Sequence, residues 1–134
     1  MDAVADCHRT LANQVTGEII RKSLRIHSKL GPGLLETTYR ICLAHELIQS
    51  CLQVQSELLL PVVYDGIQIN AGYRIDLLVA DIVIVEVKAV EHILPVHLAQ
   101  LLTYLRLANK RVGLLINFNV TYLRTGLKRV VNQF

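Results

Sequence analysis

Apolar and polar positions change period several times along this chain, and each change marks an element. From Thr16 the spacing is helical. Ile19, Ile20, Leu24, Ile26, His27 and Leu30 gather on one side, with Arg21, Lys22, Arg25 and Lys29 on the other. Gly31-Pro32-Gly33 ends this helix, because proline cannot continue the hydrogen-bond ladder and glycine frees the backbone. A second helix runs from about Leu34 to Cys51. It is apolar around much of its circumference, so it is expected to be largely buried. Residues 1–15 carry no strong pattern and read as a segment that frays or adds a helical turn, ahead of one domain over 16–134.

The period then falls to two. Glu57 to Tyr64 reads as a strand, with Pro61 arguing for a sheet edge. Asp65-Gly66 is a hairpin signal leading into a strand from Ile67 to Val79. On that strand Ile67, Ile69, Ala71, Tyr73, Ile75, Leu77 and Val79 share one face, and Gln68, Asn70, Arg74 and Asp76 the other. Ala80-Asp81 turns into a third strand, Ile82 to Ala89. Pro95 to Ala108 is helical, with proline well placed at the first turn, and Arg111 to Phe118 is a short, almost wholly apolar strand. Strand, helix, strand implies a right-handed crossover that lays the fourth strand parallel to the third. The pattern predicts an α/β domain: a mixed four-stranded core sheet, in the order one to four, flanked by helices. The tail from Thr121 to Phe134 adds one short element and the basic group Arg124, Lys128 and Arg129.

Composition narrows the class. A chain of 134 residues is one domain with a real core, and 52% hydrophobic residues with no Trp favour an aliphatic α/β interior over a β-sandwich. No apolar run reaches the roughly eighteen residues of a membrane span. The acidic N-terminus, Met1-Asp2-Ala3-Val4-Ala5-Asp6, lacks the apolar stretch of a signal peptide. The expectation is a cytoplasmic protein with no membrane partner. Cys7, Cys42 and Cys51 have no metal-ligand spacing and read as free, buried thiols. A net charge of +3 permits a polyanionic partner without requiring one.

The candidate chemistry lies where charges interrupt apolar strands. Glu86 and Lys88 emerge on the same side of the third strand, directly after Ile82-Val83-Ile84-Val85, and Asp76 interrupts the strand before it. Uncompensated charge there is costly, so these residues should compensate one another or a ligand. Two carboxylates and a lysine suit a divalent cation with a basic neighbour, the equipment of metal-assisted hydrolysis. Mg²⁺ keeps several waters and needs few protein ligands. Asp76 and Glu86 would be those ligands, with the Val87 carbonyl as a third and Mn²⁺ as a substitute ion. Lys88 would orient the attacking water and offset charge on the phosphorus. His97, Gln100 and Tyr104 share a face of the crossover helix, and Glu36 opens the second helix. His27 lies on an apolar helical face, where a histidine is more often a satisfied core or supporting group than a ligand.

Asp76, a hairpin and then Glu86-x-Lys88 resemble the PD-(D/E)xK nuclease signature. Gln100-Leu101-Leu102-Thr103-Tyr104 is similar to the QxxxY motif of its exonuclease-like branch. Gly33-Leu34-Leu35-Glu36-Thr37-Thr38-Tyr39 matches the GxxExxY motif that names a small bacterial family in that superfamily. The resemblance runs from about Thr16 to Val131. Where that family usually has a glycine near the end of the second helix, this chain reads Gln49-Ser50-Cys51-Leu52. The resemblance implies a restriction-endonuclease-like fold and Mg²⁺-dependent hydrolysis of nucleic acid, DNA ahead of RNA, by a metal-activated water, leaving 5′-phosphate and 3′-hydroxyl ends. It implies catalytic roles for Glu36, Asp76, Glu86, Lys88, Gln100 and Tyr104, with His27, Tyr39, Arg74 and His97 supporting them or touching substrate. The rival reading is a nuclease-like module that binds nucleic acid, or assembles, without cutting it. The complete Asp76, Glu86 and Lys88 set speaks against it, since a retired site has no need to bury those charges. Cutting both strands of a duplex takes two sites, and the apolar strand Gly113 to Phe118 needs covering, so a homodimer is also expected.

Overall fold

The computed structural model describes residues 3–132. The parts of the terminal expectations that concern Met1, Asp2, Gln133 and Phe134 lie outside them. The first helix, α1, spans Ala3–Leu30, so helical structure begins well before Thr16. Ala12 and Val15 belong to the core, and their burial fixes a segment whose own pattern is weak. After the Gly-Pro-Gly turn comes α2, Glu36–Gln49. It buries Tyr39, Leu43, Ala44 and Leu47 but leaves Ile41 and Ile48 more than half exposed. One face packs, whereas its composition predicts burial all round.

Two of the expected strands are each cut in two. Glu57 to Tyr64 becomes β1 (Val54–Leu59) and β2 (Val62–Tyr64), parted at Leu60-Pro61. Ile67 to Val79 becomes β3 (Ile67–Ile69) and β4 (Arg74–Val79). β2 and β3 pair only with each other, around Asp65-Gly66, whose positive φ angles of 49° and 77° suit a tight hairpin. They form an arm apart from the main sheet, and Val63, Tyr64, Ile67 and Ile69 on it are exposed.

The main sheet has five strands in the order β1-β4-β5-β6-β7, where β5 is Val83–Lys88, β6 Val112–Asn117 and β7 Leu127–Val131. The β5–β6 pair is parallel and joined by α3, Pro95–Ala108; the other pairs are antiparallel. This is the mixed, helix-flanked α/β sheet that the pattern predicts, widened by a fifth strand from the tail. β7 covers the edge of β6, so the strand expected to need an outside partner is paired on both sides and buried throughout. That removes one reason for expecting a dimer.

Each face of the sheet carries its own core. Val83, Val85 and Val87 pack with α1 and α2, while Ile84 packs with Leu101, Tyr104 and Leu105 of α3. Ile75 breaks the expected alternation of β4: it packs on the α3 side with Leu78, whereas Leu77 and Val79 pack on the α1–α2 side. The strand therefore turns over at Asp76. The cysteines are free, as expected, but Cys7 and Cys51 are exposed. Cys51 has a φ of 65°, so it adopts at the end of α2 the left-handed conformation that glycine takes most easily. Among the described residues no helix is long and apolar enough to cross a membrane.

Two glycines set how closely the layers approach. A Cβ on Gly126 would meet the backbone oxygen of Asn117 at 2.3 Å; one on Gly113 would meet Leu101 Cδ1 at 2.8 Å. A side-chain tip can yield, whereas a carbonyl inside a strand cannot. Gly126→Ala should therefore cost more stability than Gly113→Ala, with overpacking of this kind worth about 1–3 kcal/mol. Urea unfolding of the two variants checks the order, and an equal or reversed order would contradict it.

Candidate active site

β4 and β5 pair at Leu77–Val85, Leu78–Ile84 and Val79–Val83, and the ladder stops there. The next partners in register would be Asp76 and Glu86. At that point side chains take over from backbone carbonyls. Asp76 Oδ2 accepts from the Val87 N–H at 2.8 Å, and Glu86 Oε2 accepts from the Asp76 N–H at 3.3 Å. The two carboxylates thus lie in the opening between the parting strands. β1 stays paired with β4 on both sides of this point, but its register passes over Glu57 and Asp76, and Glu57 holds a φ of 51°.

Burial and proximity govern the electrostatics. Glu86 is 4% exposed. Desolvation, reinforced by the neighbouring Asp76 charge, pushes its carboxyl up to about 9. Lys88, half-buried and two residues along β5, opposes that shift. Glu36 arrives from the other layer, in the first turn of α2. Its carboxyl is raised mainly by desolvation, while Lys88, Arg40 and His97 pull it down. Glu36 and Glu86 therefore share the field of one lysine.

α3 supplies the remaining wall. Tyr104 is buried, packs edge-on against Tyr73 at 6.5 Å, and has its phenol raised by burial and then by Glu86 and Asp76. It stays a neutral hydroxyl beside the acids. His97 Nδ1 accepts from the Leu94 N–H at 2.9 Å and so caps the start of α3. Gln100 and Arg74 are exposed.

Tyr39 and His27 lie away from this cluster. Tyr39 is fully buried and stacks on Phe118 at 4.5 Å. Its hydroxyl donates to the Gly31 carbonyl at 2.6 Å and accepts from the Leu34 N–H at 3.1 Å, clamping the turn that delivers Glu36. His27 Nε2 lies 2.8 Å from the Val120 carbonyl, beside Phe118. Both brace the scaffold. Sequence reasoning passed over two further residues. Asn117 is buried and bonds both the N–H and the carbonyl of Val90, tying the segment after β5 to the end of β6. An amide closing an otherwise apolar strand was its only signal. Arg40, one turn after Glu36, pairs with Glu57 at 3.6 Å, a contact with no signature in the sequence.

The donor chemistry suits a hard cation. Asp76 and Glu86 could hold it together. The Val87 carbonyl faces the same side as the Val87 N–H that meets Asp76, as N–H and carbonyl of one strand residue do. Among the described residues no three His, Cys, Asp or Glu side chains gather as a zinc cage requires, whereas Mg²⁺ needs only one or two carboxylates.

A testable consequence concerns pH. The ordinary glutamate value is 4.5 and the folded value of Glu86 is raised to about 9, so the fold retains a proton that the unfolded chain loses. This contribution is full below 4.5, declines as pH rises, and is gone above 9. Glu86→Gln abolishes the decline. In metal-free buffer its stability relative to wild type should therefore rise between pH 5 and 9 by up to about 1.4 kcal/mol per unit. Thermal melts across that range check this, and a constant difference would contradict it.

Comparison with curated proteins and with solved structures gives no match. The family model described as the PD-(D/E)XK nuclease superfamily matches residues 13–130, nearly all of the fold and every side chain of the cluster. With the mixed sheet and helix layers in place, the chain belongs to the PD-(D/E)XK nuclease superfamily.

Proposed function

We propose that this protein is a metal-dependent nuclease of the GxxExxY kind, hydrolysing phosphodiester bonds of nucleic acid, DNA ahead of RNA. The observation that carries the proposal is the cross-bracing of Asp76 and Glu86 at the parting of β4 and β5, with Lys88 in the same field. A bound Mg²⁺ or Mn²⁺ would polarise the phosphoryl oxygen and make an attacking water more acidic. Asp76, Glu86 and the Val87 carbonyl would hold the ion. Lys88 sets the line of attack and offsets charge that grows on the phosphoryl oxygens. Glu36 holds water on the α2 side, and Tyr104 offers a hydroxyl from α3. Gln100, His97 and Arg74 stand at the rim, where the exposed side chains meet the substrate backbone.

Labelled single- and double-stranded DNA and RNA, incubated with Mg²⁺, Mn²⁺ or EDTA, test this reading. Cleavage should require the metal. Lys88→Ala should lower turnover by about 10²–10³-fold while leaving the melting temperature and nucleic-acid affinity nearly unchanged, because the ammonium acts in the transition state. Binding without cleavage under every condition would favour the silent module. Equal loss of binding and turnover in Lys88→Ala would make the lysine structural.

Cutting both strands takes two copies of the site, and the exposed apolar side chains of the β2–β3 arm are the surface a second copy would cover. A two-fold dimer is expected by sedimentation at micromolar concentration, shifted towards monomer by Ile67→Asp. A monomeric wild type would leave single-strand cutting.

A further inference from the structure

A concavity of about 830 Å³ lies at the amino ends of β5 and β6, bounded by the first turns of α1 and the end of β7. Glu86 is the fourth residue of β5, so this cleft and the carboxylate pair are separated by roughly 10–13 Å of strand. His8, Arg9, Val131 and Asn132 in its wall fall outside the segment matched to the superfamily. The cleft is thus completed by parts of this chain that the family relationship does not describe.

Its charge is one-sided. Arg9, Lys110, Arg111 and Arg129 line it with a single carboxylate, Asp81. Four cations against one anion leave the lining at +3, and a further carboxylate, the half-exposed Asp6, pairs with Arg9 at 4.0 Å. The walls are also fixed in place. Lys110 Nζ donates to the Asp81 carbonyl at 2.9 Å and to its carboxylate at 3.2 Å. Arg129 Nη2 donates to Asn13 Oδ1 at 2.9 Å, joining β7 to α1. The Asn132 N–H and side-chain amide bond the Arg111 and Lys110 carbonyls. These contacts use only part of the donor capacity of Arg129, since a guanidinium carries five N–H groups. The floor is apolar, made by Ala12, Ile82, Val112 and Val131, of which Val131 is 48% exposed.

We infer that this cleft binds a nucleoside di- or triphosphate, with the phosphates on the arginines and the nucleoside over the apolar floor. The cations suit a multiply charged phosphate, for which forked guanidinium contacts are the usual receptor. The volume lies within the range of small-molecule sites, and a concave cleft fits a compact ligand better than a polymer backbone, which needs an extended track. The inference is independent of the proposed nuclease reaction.

Calorimetric titration of the full chain in EDTA with ATP, pyrophosphate, adenosine and a single-stranded oligonucleotide tests it. ATP should bind more tightly than pyrophosphate or adenosine. The double variant Arg9→Ala, Arg129→Ala should weaken ATP by about tenfold or more, as expected for lost charge-assisted bonds. Asp76→Asn should leave ATP affinity unchanged. The inference is overturned if ATP fails to bind or binds no better than pyrophosphate. It is also overturned if the arginine variant binds as wild type does while folded by circular dichroism, if Asp76→Asn abolishes binding, or if the oligonucleotide displaces ATP from this cleft.

Discussion

The reciprocal bonds between β4 and β5, Asp76 carboxylate to Val87 N–H and Glu86 carboxylate to Asp76 N–H, are the constraint on which the reactive end of the molecule depends. Buried backbone N–H groups need acceptors, and two strands that part would ordinarily leave theirs unsatisfied. Here the acceptors come from acidic side chains. Closing the ladder and assembling the acids are therefore one structural event. The cost is like charge in a poorly hydrated place, relieved in the metal-free protein by the proton that Glu86 retains. An arrangement that keeps two acids together against their repulsion is suited to a cation and is hard to explain as a device for stability.

The surrounding scaffold holds this opening from both layers. β5 and β6 run parallel, and the acids, Lys88 and Asn117 lie towards their carboxyl ends, where open α/β sheets place their ligands. Asn117 anchors the exit of β5 through Val90, and His97 caps the start of α3 just beyond. On the opposite layer Tyr39, stacked on Phe118, clamps the turn before α2 and fixes where Glu36 enters. The tyrosine of the GxxExxY pattern thus serves its glutamate indirectly, through the backbone between them.

What was legible in the sequence follows from how local its cause is. The span of α3 was readable because Pro95 and the apolar spacing act within the helix itself. β5 and β6 were readable because a buried parallel pair needs near-continuous aliphatic residues. Asp76, Glu86 and Lys88 stood out as charges in such runs. The break before Arg74 was not readable, since alternation continues across it, and at Leu60-Pro61 a continuous apolar run with Pro61 signalled a sheet edge without showing that the strand ends there. The turnover of β4 at Asp76 has the same character: Ile75 changes face across the position that both neighbouring ladders skip, which no period-two pattern encodes. β7 and the early start of α1 depend on distant surfaces. On the basic stripe of α1, Arg21 and Lys22 meet Glu18 of the same helix, whereas the contacts of Lys22 and Arg25 with Glu46 of α2 are tertiary and have no local signal.

Glu57 connects these themes. A non-glycine residue with a φ of 51° inside a strand costs about 1–3 kcal/mol and persists only where its surroundings hold it. The β1–β4 pairing on either side of it does so, and Arg40 adds an ion pair with the Glu57 carboxylate at 3.6 Å. The same guanidinium also lowers the acid of Glu36 one turn earlier on α2. The register that Glu57 skips is that of Asp76, which the ladder of β5 also leaves unpaired. A strained residue on one side and a diverging strand on the other thus leave Asp76 out of both backbone ladders, and its side chain turns into the opening to meet the Val87 N–H. Arg40 meets the carboxylate of the strained residue and shapes the charge of Glu36. Strain in β1, the entry of Glu36 and the exposure of Asp76 are therefore mechanically linked, and the reactive geometry belongs to the way the sheet ends.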